Sequence, residues 1–332
     1  MSKQKKMLII GCGGAGVVTA SEFEATRGVP EELTTLFDVC YVDTSRANIP
    51  VTVEVDRAFT IPGLDGAGGN RALYADPIRQ AMPNIVSFVK PADIHVIIYS
   101  ASGGSGSTIG PMLASQLLKR GMNVVCVVIG DTTTIEATKN TIGTLRSIDG
   151  VARANQVTMP IIYAFNSVNK TIAEVNREIR SNIVLLATLF SGNHEYIDSR
   201  DLYSWLHFHE TTEYDPGLAM LEIMTCDRSD LSELKSKLPI ASMITLGQSL
   251  DERAILGDDA PEYQKVGLLY VGDGSKYSNN VSIFYALHTH GIARIVGEYT
   301  DRLVRLRERA NASREQIAIA DPNTVADDGM FY

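Results

Sequence analysis

Two glycine-rich stretches carry the chemistry of this chain. Gly11-Cys12-Gly13-Gly14-Ala15-Gly16 follows the apolar run Met7-Leu8-Ile9-Ile10, and Ser102-Gly103-Gly104-Ser105-Gly106-Ser107 follows Ile94-His95-Val96-Ile97-Ile98. A buried strand, a glycine turn and a helix start make an anion cradle. Backbone N–H groups converge on phosphate oxygens, and the helix N-terminus adds partial positive charge. Two cradles on neighbouring strands of one sheet grip a nucleotide's phosphate tail from two sides. The first loop alone also fits the G-x-G-x-x-G dinucleotide fingerprint, with Asp43 ending the next strand where a ribose acid stands. That reading gives an NAD-dependent oxidoreductase, but a dehydrogenase has no use for the second loop. The G-x-x-x-x-G-K-[ST] loop of the common nucleotidases is absent.

The elements that must position these loops alternate. Strand patterns at 7–10, 39–42, 94–98, 124–128 and 160–165 are separated by helical patterns near 14–27, 72–89, 108–120 and 136–153. This is the pattern of an α/β doubly wound parallel sheet, whose ligands sit beyond the carboxyl ends of the strands. A longer helix spans Thr171 to Phe190, with Ile172, Val175, Ile179, Ile183, Leu186 and Phe190 on one stripe. Strand-like runs at 217–224, 243–246, 266–271 and 281–285 predict a smaller α+β second domain, followed by a helix at 291–317. The expected boundaries are a nucleotide-binding domain at 1–170, a central helix and loop at 171–209, the second domain at 210–290, a C-terminal helix at 291–319 and an acidic tail at 320–332.

The 332 residues, 45% hydrophobic and 21% charged, suffice for two domains with full cores. A net charge of −9 argues against direct nucleic-acid binding. The basic start is followed by too few apolar residues for a signal peptide or membrane span. Cys12, Cys40, Cys126 and Cys226 form no CxxC pair, so a reducing cytoplasm is the expected setting. His194, His207 and His209 straddle a loop and a helix, and no protein metal site is expected there.

The second loop resembles the signature loop of the tubulin/FtsZ cytoskeletal GTPases, with serines in place of its first glycine and its threonine. Further matches follow in the family's order over most of residues 7–210. Gly66-Ala67-Gly68-Gly69-Asn70 resembles the third phosphate loop, which reaches the terminal phosphate. Glu136 resembles the acid that holds the ribose hydroxyls, Asn166 the asparagine beside sugar and base, and Asn176 the residue that reads the guanine edge. Asp198 and Asp201 match the two catalytic acids that reach the nucleotide of the next subunit.

Each residue also has a plainer role available: Asp43 and Asn70 as turn residues, Glu136 as a cap of its own helix, and Asp198 with Asp201 as N-cap and first-turn acid. Departures from the family pattern stand at Val18, Tyr196 and Asn140, where asparagine, asparagine and a basic residue are expected. Compactness, serine-bearing loops and a short acidic tail are most similar to the phage-encoded tubulins, the PhuZ group. The resemblance implies GTP/GDP and Mg²⁺ as cofactors, and a head-to-tail homopolymer that hydrolyses GTP at the subunit interface. It further implies a tail docking on the next subunit, location in the host cytoplasm, and a role in positioning phage DNA or a replication compartment. A nucleotide-binding regulatory module without turnover stays open beside it.

Overall fold

The computed structural model describes residues 5–24, 31–34, 36–69, 71–167, 169–192, 194–226, 239–247, 261–269, 282–289 and 291–317. Its first half alternates strictly. β1 (Met7–Cys12), β2 (Phe37–Asp43), β3 (Ala58–Thr60), β4 (Ile94–Ser100), β5 (Val124–Asp131) and β6 (Met159–Asn166) are joined through α1 (Gly13–Ser21), α2 (Glu31–Thr34), α3 (Arg71–Phe88), α4 (Gly106–Leu118) and α5 (Ile135–Ala154). These strands pair in parallel in the order β3-β2-β1-β4-β5-β6. β1, β4 and β5 are continuous apolar runs because helices cover both faces. Successive side chains serve opposite cores. Ile9, Val96 and Val127 pack with α1, α6 (Ile172–Phe190) and α7 (Ser199–Leu206), whereas Ile10, Ile97 and Val128 pack with α3, α4 and α5.

The later strands extend the same sheet. Met159–Ile161 of β6 pair in parallel with Leu218–Met220 of β8 (Leu218–Cys226). β11 (Ser282–His288) joins β8 and β9 (Ala241–Leu246) antiparallel, β10 (Tyr263–Leu269) joins β9 in parallel, and the two-residue β7 (His194–Glu195) closes the edge. Among the described residues the eleven strands belong to one sheet. α8 (Ile292–Ile317) lies against α5 and is pinned at two points. Tyr163 Oη donates to Tyr299 Oη at 3.0 Å, and Arg302 Nε donates to the Thr132 carbonyl at 2.9 Å. The tail at 320–332, Asn70 and the side chain of Cys226 lie outside the described residues.

α6 fixes which residues face which end of the molecule. Thr171 and Glu174 form a capping box at its start, just after the carboxyl end of β6. Its 19 residues span about 28 Å at ~1.5 Å per residue. It delivers the chain to the amino edge, where a Cβ on Gly192 would lie 3.2 Å from Lys5 Nζ, just before β1. α7 follows on that edge, where Tyr203 Oη lies 3.9 Å from the Cβ position of Gly121, before β5.

Candidate active site

At the carboxyl edge the three glycine loops close around a cavity of about 310 Å³. Cys12–Ala15, Gly66–Gly68, Ser100 and Gly103–Gly106 line it, together with Asn48. The loops touch so closely that side chains are excluded. A Cβ on Gly106 would stand 2.5 Å from the Cys12 carbonyl oxygen, and one on Gly104 would stand 2.6 Å from Ala67 Cβ. α1 and α4 both begin at this lining, so their unpaired N–H groups open onto it. Among the described residues no lysine or arginine lines the cavity. It is a backbone-donor cradle suited to a polyanion.

Hydroxyls and amides stitch the loops together. The Thr44 and Ser105 hydroxyls share a 2.6 Å hydrogen bond, and Ser45 donates to Asp65 at 2.7 Å. Asn140 on α5 donates to the carbonyls of Ser102 (3.1 Å) and Gly69 (3.3 Å). Ser102 bonds Ser100 at 2.9 Å, and buried Ser107 donates back to the Gly103 and Gly104 carbonyls. Gly11 lies below the cradle, where a Cβ would meet the Gly16 carbonyl at 2.7 Å. Cys12, Cys40 and Cys126 are buried free thiols; burial pushes Cys40 and Cys126 up to about 12 and Cys12 upward as well.

Asp43 is fully buried behind this lining. Oδ1 accepts from the N–H groups of Thr44 (2.6 Å) and Ser45 (3.3 Å), and Oδ2 from the Asn48 amide (2.8 Å). It caps the turn after β2 and sets Asn48 at the cavity, so the ribose contact on which the NAD reading depended has no support.

The other residues picked out by the family pattern ring the same edge outside the lining. Glu136 is exposed in the first turn of α5, 3.9 Å from Lys139; Thr134 caps the helix, accepting from the Ala137 N–H at 3.1 Å. Asn166 ends β6 in register with Asp131, and its buried Oδ1 has no partner among the described residues. Asn176 is buried on α6; it accepts from Thr19 at 3.2 Å and donates to Glu22 at 2.9 Å, bridging α6 to α1.

Asp198 and Asp201 sit on the opposite, amino edge. They form a capping box for α7: Asp198 Oδ1 accepts from the N–H groups of Arg200 (2.7 Å) and Asp201 (2.9 Å), and Asp201 Oδ2 accepts from the Asp198 N–H (3.1 Å). Lys265 on β10 pairs with Asp201 at 2.9 Å, and Tyr263 donates to the Asp201 carbonyl at 3.1 Å. Tyr196, two residues before Asp198, holds φ +69° and is 62% exposed. His194 and His207 are buried and His209 bonds Thr158 at 2.6 Å; burial lowers all three. Among the described residues no three His, Cys, Asp or Glu side chains gather as a metal site.

Sequence reasoning missed Asn48, Asp65, Asn140 as a stitch between loops, and Lys265. Only Asn140 carried a signal, as a departure from the family's basic residue.

The chain is 31% identical over 258 residues to a phage tubulin-like protein of Pseudomonas phage phiKZ, covering 74% of this chain and 75% of that one. Among solved structures, a protofilament of TubZ from Bacteriophage PhiKZ superimposes with a TM-score of 0.80 at 28% identity, covering 98% of this chain and 96% of that one. A phage tubulin PhuZ solved with GDP shares the fold, with a TM-score of 0.79 at 24% identity and 99% of each chain covered. No family model matches the chain.

Proposed function

The chain belongs to the phage tubulin-like proteins of the tubulin/FtsZ superfamily, and from that membership we propose a GTP-binding cytoskeletal protein whose subunits stack head to tail and hydrolyse GTP where two meet. One observation carries this reading: the phosphate cradle and the acids Asp198 and Asp201 occupy opposite edges of one sheet. A single chain cannot bring them together. A head-to-tail neighbour can, and such a heterologous contact propagates as a filament.

In this mechanism the N–H groups of the three loops take up phosphate charge without reorganising, which is the main demand of phosphoryl transfer. Glu136, Asn166 and Asn176 would hold sugar and base. The hard oxygen donors beside the cradle, Asn48 and Asp65, would hold a Mg²⁺ ion. When bound, it would neutralise charge on the nucleotide phosphates. Asp198 and Asp201 of the next subunit polarise the attacking water. Hydrolysis removes the terminal phosphate that both subunits share, and the contact weakens.

The tail supplies a second contact. The segment 320–332 contains Asp321, Asp327 and Asp328 and no basic residue, while 291–314 contains Arg294, Arg302, Arg305, Arg307, Arg309 and Arg314 against three acids. Docking of the tail on the basic residues of this segment in the adjacent subunit would strengthen assembly. Filaments in the cytoplasm of an infected cell would then position phage DNA or a replication compartment.

Light scattering after GTP addition, followed by phosphate release, tests the reading. Asp198→Ala and Asp201→Ala should bind GTP and polymerise, yet hydrolyse it far more slowly. Full GTPase activity in either variant would sink the shared-site mechanism. Removing 321–332 should raise the critical concentration; an unchanged value removes the tail from assembly.

A further inference from the structure

A cation behind the phosphate loops has no ion-pair partner among the described residues. Arg71 opens α3 directly after the third glycine loop. Its guanidinium folds inward over α5, with Nη1 3.3 Å from the Cβ position of Gly143. Asn140, one turn earlier on the same helix face, holds the Gly69 and Ser102 carbonyls. The guanidinium therefore lies immediately behind the second and third loops. Its Nε is buried without a hydrogen-bond partner among the described residues. Burial lowers the Arg71 pKa, and the titratable neighbour acting on it is the buried Tyr99 phenol, not a carboxylate.

A half-buried guanidinium without an acid is unfavourable. It becomes favourable when a ligand brings the missing anion, and the adjacent cradle has no cation in its own lining. The loop between them can give way: Gly66, Gly68 and Gly69 hold φ of +81°, +50° and +78°, and a Cβ on any of them would meet nothing within 4 Å. Resting on the GTP reading above, we infer that Arg71 is the residue that distinguishes nucleoside triphosphate from diphosphate in this chain, its guanidinium pairing with the terminal phosphate. Charge-assisted bonds of this kind are the strong ones.

The test uses the full chain with Mg²⁺ below its assembly concentration, and measures binding of GDP and of a hydrolysis-resistant GTP analogue. Arg71→Gln should weaken the triphosphate analogue roughly tenfold or more and shift GDP less than about twofold, with Arg71→Lys recovering part of the loss. Without nucleotide, Arg71→Gln should melt at or above the wild-type temperature, because an unpaired buried charge has been removed. Equal losses for both nucleotides with a lowered melting temperature would make Arg71 a structural group and overturn the inference. So would an unchanged triphosphate affinity. Failure of the wild type to bind either nucleotide would instead overturn the GTP reading, and the inference with it.

Discussion

Asp201 Oδ1 lies 2.9 Å from Lys265 Nζ, so an acid of the α7 capping box also fastens α7 to β10. The pair cancels one of the two carboxylates proposed to reach a neighbour's phosphates. Its side chains are 43% and 15% exposed for Lys265 and Asp201, so the pair itself contributes below about 1 kcal/mol of stability.

Replacing Lys265 by Met leaves both carboxylates uncompensated on the face proposed to assemble. GTP-driven assembly should then need more protein at low salt, and the defect should shrink as salt screens the repulsion over a Debye length of ~8–10 Å. Pelleting across a salt series reads this directly. A defect of constant size would assign Lys265 to packing alone.

Asp198 gives a pH dependence of known sign. Its carboxyl is held below the usual range chiefly by the Asp201 N–H, with the Arg200 N–H and the Lys265 charge adding to it. A depressed folded pKa stabilises above the unfolded value of about 3.9 and is lost as pH falls through the folded one. The gap in melting temperature between wild type and Asp198→Asn should hold from pH 7 to pH 5 and close below about pH 4. A gap that persists in acid contradicts the capping geometry.

His207 acts in the opposite range. It ends α7, stacks on Tyr203 at 4.2 Å between ring centroids, and leaves Nε2 buried without a partner. Burial lowers its pKa to about 4; Glu210 opposes that shift and His209 adds to it. Neutral in the fold and protonated when unfolded below about pH 6.5, it withdraws up to roughly 3 kcal/mol as pH falls from 6.5 towards 4. Chemical denaturation of His207→Gln should show that slope removed between pH 6.5 and 4.5. An unchanged slope would place the titration elsewhere.

The parts of the site that read directly from sequence are those that chain-local chemistry dictates. Gly13 and Gly106 follow buried strands and precede helices, so their loops are recognisable in the sequence, and a Cβ on Gly13 would stand 2.5 Å from the Gly106 nitrogen. Asp43 and Asp198 were ambiguous because capping and ligand binding use the same residue types at the same positions; within one chain both act as caps. Asp65, Lys265 and the stitching role of Asn140 were not legible, since each works through a partner 20 or more residues away. The continuity of the sheet was equally hidden, because only Met159–Ile161 and Leu218–Met220 make the join.

Gly104 tests whether contact between the second and third loops sets affinity. It has no positive φ, so alanine is permitted by its backbone, yet the new Cβ would stand 2.6 Å from Ala67 Cβ and 3.1 Å from the Gly69 nitrogen. The third loop must move, and its glycines let it move without unfolding the sheet beneath. Gly104→Ala should therefore lose about 1–3 kcal/mol of stability at most while binding of a GTP analogue falls roughly tenfold or more, since a displaced loop no longer converges on the phosphates. Ala67→Gly removes the atom in the way. Combined with Gly104→Ala it should recover part of the affinity, the remainder being held back by the Gly69 nitrogen and the Ala67 carbonyl at 3.3 Å. Titration of all four proteins gives the coupling directly. A double variant no better than Gly104→Ala would mean that loop approach does not govern binding.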